Sequence, residues 1–85
     1  MKIKIEGWNI VVVDNGFVFV GQVTGTKVLL VDKAKQLRKW GTTAGLGQLR
    51  SGPTKDTLAD PVDVLLIPAA RVVFAIPVDG TKWGG

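Results

Sequence analysis

The sequence predicts an all-β chain: a small barrel or strongly bent antiparallel sheet of about five to six strands, with one short helix near residues 43–50. Three observations carry this. Continuous apolar runs recur at 10–13, 17–20, 28–31, 64–67 and 72–76. Turn residues such as Asn15-Gly16, Gly25-Thr26 and Pro68-Ala69-Ala70 stand between or beside them. Only one stretch, Gly41 to Pro53, has the punctuation of a helix at both ends.

The elements follow in order. Ile3 and Ile5 alternate with Lys2, Lys4 and Glu6, as on a half-buried strand, and Gly7-Trp8-Asn9 breaks the pattern. Ile10 to Val13 and Phe17 to Thr24 make a hairpin over Asn15-Gly16, both of which accept positive φ. Gly25 opens a second turn, and Lys27 to Asp32 is the third strand. Lys33 to Trp40 fits a helix only loosely and reads better as an extended or irregular continuation. Thr42 or Thr43 can cap the short helix, Gly52 can end it, and Leu46 and Leu49 would hold it on the sheet. Residues 53–61 are a polar loop, and strands at Val62–Ile67 and Arg71–Pro77 complete the sheet.

With 85 residues the chain is a single domain, 1–85, burying about 63% of its unfolded surface, a thin margin for an isolated monomer. Several strands are apolar on successive residues, which point to opposite faces. A chain with at most one short helix cannot cover both faces with helices. A homo-oligomer is therefore expected, and Trp83, after a turn and before a Gly-Gly end, is a candidate interface residue.

The composition excludes much chemistry. There is no cysteine and no histidine, so disulfides, thiolate metal sites and the commonest general base are absent. Ser51 is the sole serine and has no histidine to activate it. Most of the aspartates sit in turns, as Asp14, Asp56, Asp60 and Asp79 do. No catalytic residue, metal or cofactor is expected, and the chain is read as a non-enzyme. Residues 1–6 build no apolar signal, and the longest apolar stretch, Val64 to Ala70, is far short of a membrane span.

What remains is charge. Eleven Lys and Arg against seven Asp and Glu give a net +4. The densest tract is Lys33, Lys35, Arg38, Lys39 and Trp40, with Arg50 further on. Basic side chains neutralise phosphates and an indole stacks on bases, so these six are the candidate nucleic-acid or nucleotide-binding residues. The competing reading is a solvated face with Trp40 in the core. The glycines at 41, 45 and 47 lack the spacing of a dinucleotide or phosphate-loop fingerprint.

Gly16-Phe17-Val18-Phe19-Val20-Gly21, Ala34-Lys35-Gln36-Leu37-Arg38-Lys39-Trp40, Ala44-Gly45-Leu46-Gly47-Gln48-Leu49, Gly52-Pro53 and Asp60-Pro61-Val62 resemble, in order and spacing, a family of small phage-encoded proteins of uncharacterised function. The resemblance spans residues 10–77. It departs at Arg38-Lys39, where that family is aromatic. It implies a phage or prophage origin, a host-cytoplasmic or virion location, and a shared fold, but no activity. A looser likeness at fold level is to Sm-like small barrels, without their RNA-pocket residues. Two functions are expected from these readings. One is a homo-oligomeric phage binding protein engaging nucleic acid or a nucleotide through the basic tract. The other is a structural protein, either a virion component or a modulator of a host protein, acting through its apolar sheet faces.

Overall fold

Five strands make one antiparallel sheet in the computed structural model, which describes residues 5–84: β1 Gly7–Val13, β2 Val18–Thr24, β3 Val28–Lys39, β4 Leu58–Pro68 and β5 Val72–Pro77. Their order across the sheet is β4-β3-β2-β1-β5. Three 3-10 helices complete the fold: a long one at Leu46–Ser51, a corner helix at Ala69–Arg71 and a tail helix at Gly80–Lys82. The all-β expectation holds, as a strongly bent sheet whose edges do not join into a closed barrel.

The bend is forced by connectivity. β4 and β5 lie on opposite edges, about 19 Å apart if four interstrand spacings lay flat. Pro68 and Val72 are four Cα steps apart, which reach at most about 15 Å. The sheet must curl for the corner helix to link its edges. Both flanks of that corner are tied: Ala69 N–H donates to Lys27 O at 2.9 Å, and Asp14 N–H to Arg71 O at 2.9 Å. A line of irregular residues crosses three strands where the sheet folds. Gly21 lies where the β2–β3 register shifts, and a Cβ there would come within 2.5 Å of Val31 Cγ1. Lys33 and Asp63, with φ of 51° and 80°, flank the shift between β3 and β4.

The Asn15-Gly16 hairpin forms, but by another turn. Only Gly16 takes positive φ, at 88°. Gly16 N–H donates to Val13 O, and Phe17 N–H is held by the Asn15 side chain, so a four-residue turn ends in a glycine bulge. β3 runs extended to Lys39, as the sequence suggested. Two strands start several residues earlier than expected, and one expected strand lies largely outside the described residues. β1 begins at Gly7, because buried Asn9 satisfies its amide on Glu6 O and Gly7 O. The first expected strand falls on residues 1–4, outside the described residues, and on Ile5 and Glu6, which are not in a strand. β4 begins at Leu58 rather than Val62, since an edge strand tolerates Pro61.

The expected helix at 43–50 is a 3-10 helix starting at Leu46, and no threonine side chain caps it. Gly45, with φ of 88°, stops any earlier start. The Gln48 amide oxygen accepts from Thr43 N–H and Ala44 N–H instead. Leu46 and Leu49 are buried, as expected of the residues that hold it down.

Two cores lie on the two faces of the sheet. One contains Ile10, Val18, Val20, Leu37, Leu46, Leu49 and Trp83. The other contains Val11, Val13, Val23, Leu29, Val31, Ala34 and Ile67. The long 3-10 helix and the tail cover the first, and the curl of the sheet encloses the second. Trp83 is thus core, not interface: it is 2% exposed, and its indole N–H donates to Leu49 O at 3.0 Å. The two-faced strands β1 and β2 are covered from within the chain.

Candidate polyanion interface

The basic tract lies on the second half of β3, which the bend line separates from the first. Lys33 sits on that line, exposed, with its N–H held by the Asp32 carboxylate at 2.9 Å. Lys35 pairs with Val20 and shares a face with Leu37, the face of the first core. Arg38 points to the other face and grips Asp60 with two nitrogens, at 2.9 and 3.3 Å. Both side chains are at least half exposed, so the pair adds little stability. It does neutralise one cation of the tract. Lys39 follows, exposed and opposite Leu58.

Trp40 follows the last strand residue and is 40% exposed, so of the two placements left open by the sequence, the exposed one is observed. Its backbone is anchored: Thr57 Oγ1 donates to Trp40 O at 2.6 Å, and Thr54 Oγ1 to Gly41 O at 2.8 Å. Threonines of the 53–57 loop therefore fix where the indole leaves the sheet. A Cβ at Gly41 would overlap the Asp56 backbone, so only glycine lets the loop approach this closely.

Arg50 comes from the long 3-10 helix. It lines an open cavity of about 560 Å³ with Gln48, Ser51 and Asp79. Its carbonyl accepts from Asp79 N–H at 2.8 Å. The Asp79 carboxylate is turned inward on its own turn, accepting from Thr81 Oγ1 at 2.6 Å and Thr81 N–H at 3.1 Å. The Thr81 hydroxyl, and then its N–H, hold the Asp79 carboxyl below its ordinary value of 3.8.

The tail laces these parts together. Lys82 Cβ lies 2.7 Å from where a Cβ on Gly52 would stand, Trp83 is buried beneath Leu49, and Lys35 Nζ lies 3.9 Å from where a Cβ on Gly84 would stand. The structure thus brings Lys35 and Arg50 to one face, with Lys82 between their elements, and turns Arg38 away. Lys82 is a cation that the sequence reading missed. Its Gly80-Thr81-Lys82 context reads only as turn chemistry, and nothing local says where the turn docks. Among the described residues Lys33, Lys35, Lys39, Arg50 and Lys82 make no ion pair. No group of three or more Asp and Glu is placed to hold a metal ion among those residues, and no helix there is long and apolar enough to cross a membrane.

No family model, curated protein or solved structure matches this chain.

Proposed function

We propose that the chain is a non-enzymatic binding protein that engages nucleic acid or a nucleotide through Lys33, Lys35, Arg38, Lys39 and Arg50, with Trp40 as a stacking surface, and that it works as a homo-oligomer. The observation that carries the reading is that Lys33, Lys35, Lys39 and Arg50 are exposed or half-exposed cations without ion-pair partners, in a chain that also presents an exposed, backbone-anchored indole, whereas Arg38 must first leave Asp60. Unpaired cations attract phosphates without first giving up a partner, and an indole accepts any base. The likeness of residues 10–77 to small phage-encoded proteins supports a phage or prophage origin and a place in the host cytoplasm or virion.

The test is fluorescence anisotropy with a labelled single-stranded oligonucleotide, titrated at several salt concentrations. Affinity falls linearly with salt on logarithmic axes. Replacing Lys35, Arg38 and Lys39 together by alanine abolishes it. Salt-insensitive binding, or a triple variant that binds as the parent does, overturns the reading.

A second reading is a structural or interaction protein, a virion component or a modulator of a host protein. Exposed Val28, Leu30, Val64 and Leu66 favour it.

A further inference from the structure

The outer face of the β3–β4 hairpin carries an apolar row that the described part of the chain leaves open. Val28 and Leu30 on β3 are 54% and 40% exposed, and Val64 and Leu66 on β4 are 50% and 65% exposed. The register sets Leu30 opposite Leu66, which puts the four on one face. The alternate residues, Leu29, Val31, Leu65 and Ile67, turn to the second core. The row continues around the end of β4 into a shallow apolar cavity of about 570 Å³ between Leu66, Pro68 and Phe17. Monomers rarely leave such a continuous apolar surface in water.

The charges along the row indicate what covers it. At its turn end stands Lys27, and at its far end stand Asp32 and Asp63 with Lys33 beside them. None of these makes an ion pair among the described residues. The turn end therefore carries a cation and the far end carries the Asp32 carboxylate, opposite Val64 on the same face. Such a patch is its own complement under a two-fold axis through its middle, near Leu30 and Leu66. A second copy, turned end for end, lays its Lys27 on Asp32 of the first while the leucines meet. A foreign partner would need the same charge pattern by coincidence.

We propose that two copies of this chain form an isologous dimer through the outer face of the β3–β4 hairpin, with Leu30 and Leu66 at its centre and Lys27 facing Asp32 across the axis. The proposal deepens the homo-oligomer reading and is separate from polyanion binding. Apart from Lys33, which sits on the bend line at the edge of the patch, the basic tract lies beyond that line, so both partners would keep Lys35, Arg38, Lys39 and Arg50 open.

Sedimentation equilibrium on the full chain, without nucleic acid, tests it. The parent chain dimerises. Leu66→Asp, an outward change that leaves both cores intact, raises the dissociation constant more than about tenfold. Lys27→Glu and Asp32→Lys each weaken the dimer, and an equimolar mixture of the two associates where neither does alone. A parent chain that stays monomeric overturns the proposal, as does Leu66→Asp dimerising unchanged. Assembly only on adding an oligonucleotide, or only with a foreign protein, overturns it too. Any of these leaves the anisotropy result standing, so the two readings fail separately.

Discussion

The Trp83 indole N–H donates to the Leu49 carbonyl across 3.0 Å, joining the tail to the long 3-10 helix through a buried hydrogen bond. A 3-10 helix of six residues containing Gly47 has little stability of its own. Tryptophan beneath it supplies both apolar area and a second donor to a carbonyl that also accepts from Gly52 N–H at 3.0 Å. Trp83→Phe keeps most of the area and removes one of the carbonyl's two donors, at about 0.5–1.5 kcal/mol. Trp83→Ala also opens a cavity and costs about 3–5 kcal/mol. Urea denaturation followed by circular dichroism ranks these two against Trp40→Ala, which costs less than Trp83→Ala because Trp40 is 40% exposed.

Two glycines should answer oppositely to alanine. At Gly21 the new Cβ meets Val31 Cγ1 at 2.5 Å and Asp32 O at 2.8 Å on the bend line, and backbone there cannot yield. Gly21→Ala costs about 1–3 kcal/mol. At Gly47 no atom lies within 4 Å and φ is ordinary, so Gly47→Ala is neutral or stabilises by up to about 1 kcal/mol. Thermal unfolding of the pair decides it.

Asp60 competes with any phosphate for Arg38. Asp60→Asn should change stability by less than about 1 kcal/mol, since the pair is exposed. It should also tighten oligonucleotide binding and steepen its salt dependence by about one phosphate contact. Unchanged anisotropy titrations would place Arg38 outside the interface while leaving the cations of the tail face in question.

The Asp79 carboxyl is held below 3.8 in the folded chain by Thr81, whose hydroxyl contributes most. A depressed carboxyl stabilises the fold above its unfolded value and loses that contribution as pH falls through the lower folded value. Asp79→Asn therefore differs from the parent in urea midpoint at neutral pH. The gap narrows as pH falls below the ordinary 3.8 and closes only below the lower folded value. A gap that persists at low pH would mean that the hydrogen bonds matter without the charge.

Features set by neighbours in sequence were legible from it. Asn15-Gly16 and Gly25 mark turns because only a few residues accept positive φ, and Leu46 and Leu49 are core because a weak helix needs an anchor. Features set by distant partners were not. Pro61 argues against a strand until β4 is known to be an edge. Trp83 reads as an interface residue until the helix that covers it is in place. Strand alternation already parts Arg38 from Lys35, but the pairing that neutralises Arg38 comes from Asp60, far along the chain. Lys82 joins the site only because the tail folds back over Gly52.

The corner helix also divides the folding reaction in time. β1 to β4 pair with sequence neighbours, and their closure costs only modest chain entropy. β5 must find β1 from near the other end of the sequence, setting Ile10 against Ile76. That search is the slow part of a high-contact-order sheet, and it cannot finish until the first four strands have curled far enough for four Cα steps to cross. Amides of β5 should accordingly gain protection last in pulse-labelled refolding, and the strands either side of the bend line first.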